Sequence, residues 1–117
     1  SKADLAMMTL LLTPGEPTNW YNGTDNFTTI GLISFGDYHL DPQKAQGLEG
    51  KNSSYQNVTR TLGVVPFDMY FRVSNESGTL YKFGVNISST STNVVKVTRL
   101  AYMDTNPVTV EMVVWNE

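Results

Sequence analysis

The chain has 117 residues, enough for one domain with a hydrophobic core but not for two independent domains. Apolar residues make up 40% of the chain and charged residues 16%, a balance typical of a folded protein. A net charge of −3 supplies no basic surface for phosphate, so nucleic acid is not an expected partner. The absence of cysteine excludes disulfides, thiolate metal sites and thiol nucleophiles.

The first predicted element is a helix from about Ala3 to Thr13. It ends there because Pro14 and Gly15 cannot continue a helix. Residues 5–12 are apolar on almost every face of this helix, a pattern typical of a segment that is buried or in a membrane. No stretch reaches the roughly 20 apolar residues that span a bilayer, and no secretion signal opens the sequence. We expect the end of a longer helix; the alternative is the N-terminal core helix of a complete protein.

A loop of defined shape is predicted after this helix. Pro14 and Pro17 fix the backbone, Gly15 allows a tight bend, and Trp20 can anchor the loop in the core. A short strand is expected from Thr28 to Ser34. Two short helices follow. The first begins at the N-cap Asp41 and ends at Gly47 or Gly50; the second runs from Tyr55 to Leu62 and ends at Gly63.

Beyond Gly63 the hydrophobic period changes from helical to alternating, which predicts strands. Phe67, Met69, Phe71 and Val73 share one face, and the residues between them share the other. Residues 75–78 form a turn, and strands are predicted at 79–83, 94–103 and 108–115. The sequence therefore predicts one α+β domain over residues 1–117: a helix (1–13), a region of loops, a short strand and short helices (14–63), and an antiparallel meander of about four strands (64–117). The N-terminal helix is expected to cover the sheet.

Six sequons for N-glycosylation are present, whereas chance pairing of ten Asn with 23 Ser or Thr would give about two. Their acceptors fall in segments predicted as turns, loops or helix edges: Asn22, Asn26, Asn52, Asn57, Asn75 and Asn86. This excess predicts an extracellular glycoprotein. The alternative is a surface rich in Asn and Thr with incidental matches.

Nothing in the sequence predicts catalysis, a metal or a cofactor. His39 is the single histidine, and no cysteine or second histidine is available to build a metal site around it. Asp37, Asp41 and Glu49 lack the spacing of a calcium loop, and helix capping explains Asp41 better. The aromatic residues permit an alternative function, an extracellular module that binds carbohydrate or another surface without polymerising, if several share one groove.

The segment Leu11–Trp20, followed by Ile30–Leu32, Lys44 and Leu48, resembles archaeal type IV pilin-like proteins with class III signal peptides. Further matches are Leu62–Val64, Phe67–Phe71, Val95–Leu100 and Val110–Trp115, so the resemblance spans nearly the whole chain. Its most specific part is the helix-exit loop of Pro14, Gly15, Pro17 and Trp20.

The resemblance implies a structural subunit, major or minor, of a cell-surface filament that serves adhesion, with other pilin subunits as partners. The precursor would be anchored in the membrane by an apolar helix upstream, and the glycosylated head would lie on the outside of the assembled filament. The helix residues implied in packing and assembly are Leu5, Met7, Met8, Leu10, Leu11 and Leu12.

Overall fold

A computed structural model describes residues 1–23 and 25–116, which form an α+β fold with an N-terminal helix and a mixed β-sheet. The elements in chain order are α1 (Lys2–Leu12), β1 (Gly15–Glu16), β2 (Thr29–Ile30), β3 (His39–Leu40), α2 (Pro42–Glu49), a 3₁₀ turn (Asn52–Ser54), α3 (Tyr55–Thr61), β4 (Asp68–Asn75), β5 (Gly78–Gly84), β6 (Thr92–Met103) and β7 (Asn106–Asn116). The α+β class, the N-terminal helix and the short helices in between were predicted correctly.

The main sheet has the strand order β3-β6-β7-β4-β5, and β1 pairs with β2 in a separate ribbon. The four C-terminal strands are antiparallel, whereas β3 joins β6 in parallel through the pairs His39 with Tyr102 and Leu40 with Met103. The prediction of a simple meander of about four strands was therefore wrong. A strand of two residues is too short to produce a hydrophobic alternation, so β3 could not be predicted from periodicity.

The strand predicted from Thr28 to Ser34 is also much shorter than expected. Only Thr29 and Ile30 form a strand, by pairing with β1, and Ile33 makes an isolated antiparallel bridge to Leu40 of β3. Beyond them the chain bonds to the end of α1: Leu32 donates its backbone N–H to Leu10 O (2.9 Å) and Ile33 to Thr13 O (3.4 Å). A Cβ on Gly31 would overlap the backbone of Thr13, so this close approach requires glycine.

The long strands follow the alternation that predicted them. Met69, Phe71 and Val73 of β4 are buried, and the residues between them are half-buried on the opposite face. In the β6–β7 hairpin, Asp104 and Thr105 both have positive φ (51° and 66°), the conformation of a two-residue type I′ turn. The connection between the predicted strands 94–103 and 108–115 is thus shorter than expected, and β7 begins at Asn106.

The core lies between α1 and the inner face of the sheet. Capping of α2 agrees with the sequence, because Asp41 accepts a hydrogen bond from the backbone N–H of Gln43 (2.9 Å) and Pro42 opens the helix. Gly50 ends α2; Gly47 lies within it, where a Cβ would overlap the Tyr21 side chain. No helix among the described residues is long and apolar enough to cross a membrane.

Candidate assembly surface and glycosylation sites

The helix α1 has one face inside the molecule and one in solvent. Its buried residues pack against the sheet: Ala3, Ala6, Met7, Leu10 and Leu11. Leu5 and Met8 lie on the opposite face and are 63% and 51% exposed, with Leu12 half-buried on the same side. Of the six residues predicted for packing and assembly, Met7, Leu10 and Leu11 therefore belong to the subunit's own core. Leu5, Met8 and Leu12 form the exposed stripe of α1.

Polar contacts fix the orientation of this stripe. On one flank of α1, Asp4 lies 3.5 Å from the Arg99 guanidinium of β6. On the other, the Lys2 ammonium donates to Gly63 O (3.1 Å) and lies 5.9 Å from the centre of the Phe67 ring. The stripe is thereby held pointing away from the sheet.

The helix-exit loop folds back onto the core through Trp20, as its composition predicted. The Trp20 indole is fully buried, and its Nε1 donates to Gly31 O (2.8 Å). Gly15 has a φ of +89°, and a Cβ there would overlap the Trp20 ring. Pro14 and Pro17 are exposed. The loop after α1 is thus packed against the core through Trp20 and is not an extended linker.

A buried lysine completes this support. The Lys44 ammonium donates to Pro14 O (2.9 Å) and Ile33 O (2.7 Å), which joins α2 to the helix-exit loop and to the segment after β2. Burial lowers the pKa of the Lys44 ammonium, and the nearby Asp41 carboxylate opposes that shift. Sequence reasoning assigned this residue no such role, because its two acceptors are backbone carbonyls that only the tertiary fold brings together.

The sequon asparagines lie mainly at the surface. Exposed side chains are those of Asn22, Asn26, Asn52, Asn75 and Asn86, while Asn57 is half-buried. Thr24, the third residue of the Asn22 sequon, lies outside the described residues. Asn22, Asn26 and Asn86 lie outside helices and strands, whereas Asn52 begins the 3₁₀ turn, Asn57 is in α3 and Asn75 is the last residue of β4.

Hydrogen bonds distinguish the individual sequons. Asn75 accepts a bond at Oδ1 from the backbone N–H of Ser77 (2.8 Å), an Asx-turn that does not involve Nδ2, the atom to which a glycan is attached. Asn52 likewise accepts at Oδ1, from Gly84 N (2.9 Å). In contrast, Asn57 donates from Nδ2 to Asp25 O (3.1 Å), and its sequon partner Thr59 is buried. The geometry at Asn57 is the least compatible with a sugar.

The residues weighed for catalysis have structural partners. His39 bonds through Nδ1 to Asp37 O (2.9 Å), and its ring stacks on Tyr102 with centroids 5.4 Å apart. Asp41 accepts from Gln43 N at Oδ1 and from the Ser34 hydroxyl at Oδ2 (2.7 Å). Within residues 1–23 and 25–116, no three His, Asp or Glu side chains cluster so as to hold a metal ion.

The aromatic residues considered for sugar binding are dispersed. Trp20 and Trp115 are fully buried, and Tyr55 packs on Phe83 beside the core. Tyr70 is half-buried on the outer sheet face, in a groove of about 530 Å³ that Val113 and the buried Trp115 also line. The outer face also carries Glu111, which lies 3.0 Å from the Lys96 ammonium and 3.7 Å from the Arg72 guanidinium.

Comparisons with known proteins identify no relatives. No family model matches the chain, and neither a curated protein nor a solved structure is significantly similar to it.

Proposed function

We propose that the chain is the head of a subunit of a cell-surface filament of the archaeal type IV pilus class, an extracellular structural protein and not an enzyme. In this proposal α1 is the end of a longer apolar helix that anchors the precursor in the membrane and later packs against the helices of other subunits. The head is displayed on the outside of the filament with N-linked glycans and serves adhesion or surface attachment.

The observation that carries the proposal is the exposed stripe of α1. Leu5 and Met8 are large apolar side chains that are already partly covered, and burying the exposed remainder of each against a neighbouring helix would contribute about 1–2 kcal/mol. The opposite face of the same helix is fixed to the sheet by Met7, Leu10 and Leu11. A helix held in this way can contribute to an intersubunit contact while the head keeps its own fold.

The surface acceptors support an external location for the head. Five of the six sequon asparagines are exposed, so glycans on them would need no rearrangement of the core. In the helix-exit loop, Trp20 is buried and Lys44 is bonded to Pro14 O. These contacts would hold the end of the helix in a defined position relative to the head.

The proposal is tested by replacing the exposed stripe in the full-length gene. The double variant Leu5→Glu, Met8→Glu places two charges where the proposal has an apolar contact, so we expect filament yield to fall more than about a hundredfold. Leu80→Glu is the control, because Leu80 is an exposed leucine (39%) on β5, away from α1. Circular dichroism of the 117-residue chain checks that each variant is folded.

Filaments of the double variant at the yield of Leu80→Glu would contradict the proposal. Loss of filaments together with a folded, membrane-located subunit would support it, since the defect would then lie in assembly.

A further inference from the structure

The two edges of the main sheet differ in how their backbone groups are satisfied. At the β5 edge, Lys82 N donates to the Glu49 carboxylate (3.1 Å) and Gly84 N to Asn52 Oδ1 (2.9 Å). These two side chains, at and beyond the end of α2, close that edge to another strand. At the other edge, β3 covers only the last two residues of β6, Tyr102 and Met103.

The remainder of β6 is an open edge. Tyr102 donates its backbone N–H toward β3, to Tyr38 O (2.8 Å), so the backbone groups of Lys96, Thr98 and Leu100 point to the same side. Arg99 Nη1 donates to Thr98 O (2.9 Å). Among the described residues, no hydrogen-bond partner reaches the outward N–H groups of Lys96, Thr98 and Leu100. The open edge of β6 is defined here as residues 94–100.

The ends of this open edge are set by structure. A β-bulge between Thr92 and Val95 interrupts the ladder at one end; Val94 is the last residue of this bulge and lies beside Lys96 on the outer face. At the other end, β3 occupies the space beside Tyr102. A partner strand therefore has room for about seven residues. The positive charges of Lys96 and Arg99 could repel another strand. However, Lys96 forms an ion pair with Glu111, and Arg99 forms one with Asp4.

We propose that the open edge of β6 pairs antiparallel with the same edge of a second copy of this chain, about a two-fold axis at Val97. In this register Lys96 lies opposite Thr98 of the second copy, so no like charges lie directly opposite each other. Val94 and Leu100 are 48% and 60% exposed on the same sheet face. In this register Val94 of each copy lies opposite Leu100 of the other, so the contact occurs twice. Moving the two-fold axis to Lys96 would place the two Lys96 side chains opposite each other. Moving it to Thr98 would place Val94 opposite Tyr102, where β3 already lies.

The register is tested by disulfide trapping in the 117-residue chain, which has no cysteine of its own. The protein is produced without N-glycans, so the result does not depend on the proposed glycosylation or on assembly through α1. In the proposed pairing, residues 96 and 98 of the two copies form a hydrogen-bonded pair with Cα atoms about 5.5 Å apart, within the range of a disulfide.

We expect a mixture of Lys96→Cys and Thr98→Cys chains to form a disulfide-linked heterodimer under mild oxidation, and neither variant to link with itself. Sedimentation velocity of the unmodified chain should show a concentration-dependent dimer. Leu100→Glu should weaken that dimer more than about tenfold because the contact occurs twice, whereas Leu80→Glu on the closed edge should leave it unchanged.

A monomer at every concentration would overturn the proposal. So would a disulfide dimer of Lys96→Cys alone or of Thr98→Cys alone, since each requires a different register. Circular dichroism of the two cysteine variants, both at exposed positions, checks that each retains the fold.

Discussion

At the scale of single residues, the sequons are not equivalent. Asn75 is the exposed last residue of β4, and its side-chain oxygen accepts from Ser77 N in the turn that follows, whereas Asn57 donates from the nitrogen that a glycan would occupy. We therefore predict that Asn75 is glycosylated in the mature protein and Asn57 is not. Intact mass and glycopeptide mass spectrometry of protein from the source cell measure both sites.

The matched variants are Asn75→Gln and Asn57→Gln. The first should lower the mass by one glycan, and the second should leave the glycan mass unchanged. A glycan found on Asn57 would show that the bond to Asp25 O is absent in the mature protein, and an entirely unmodified chain would remove the basis for an external glycoprotein.

At the scale of elements, Tyr55 ties α3 to the start of β4. Its hydroxyl donates to Asp68 Oδ1 (2.7 Å) and accepts from Met69 N (2.9 Å). Burial, together with the hydrogen bond to Asp68, raises the pKa of the Tyr55 phenol above its usual value. As the pH rises past about 10, the unfolded chain loses this proton before the folded one. The contribution of Tyr55 to stability is therefore complete below about pH 10 and is lost above it.

We predict that Tyr55→Phe lowers the free energy of unfolding by about 1–3 kcal/mol at neutral pH, because Asp68 and Met69 N lose a partner. The difference between the original chain and the variant should shrink as the pH rises above about 10. Urea unfolding followed by tryptophan fluorescence measures both values, with Tyr102→Phe as the control at an exposed position. A difference that is constant from pH 7 to 11 would show that Tyr55 does not ionise differently in the two states.

An element can be predicted from the sequence when it is long enough to show a hydrophobic period or when capping residues mark its start. The alternation of Met69, Phe71 and Val73 fixed the face of β4 correctly, and Asp41 with Pro42 marked the start of α2. The two-residue strand β3 has no periodicity, and the segment after Ile30 bonds to α1 through contacts distant in sequence. Both errors concern pairings that only the tertiary fold determines.

The candidate sites show the same division. Composition predicted an apolar α1, but only the packed structure separates the buried Met7, Leu10 and Leu11 from the exposed Leu5 and Met8. Motif counting found the six sequons, but the different bonding of Asn57 and Asn75 depends on α3 and on the β4–β5 turn. Lys44 was not assigned a role, since the carbonyls it binds belong to loops.

At the scale of the whole molecule, two surfaces available for contacts lie on different elements. The exposed stripe of α1 points away from the sheet, and the open edge of β6 lies along its side. In the proposed filament the first contributes to the assembly, and the second provides lateral pairing between heads. Substitutions on one surface should leave the other intact, because Leu5 and Leu100 lie on different faces of the fold.

The most direct test of the central claim is a cryo-EM reconstruction of filaments from the source cell in which the subunit is identified from density. We expect this head on the filament exterior, with α1 continuing into the filament core and Leu5 and Met8 buried against a neighbouring subunit. Filaments that lack this chain, or a head in which Leu5 and Met8 remain in solvent, would contradict the account.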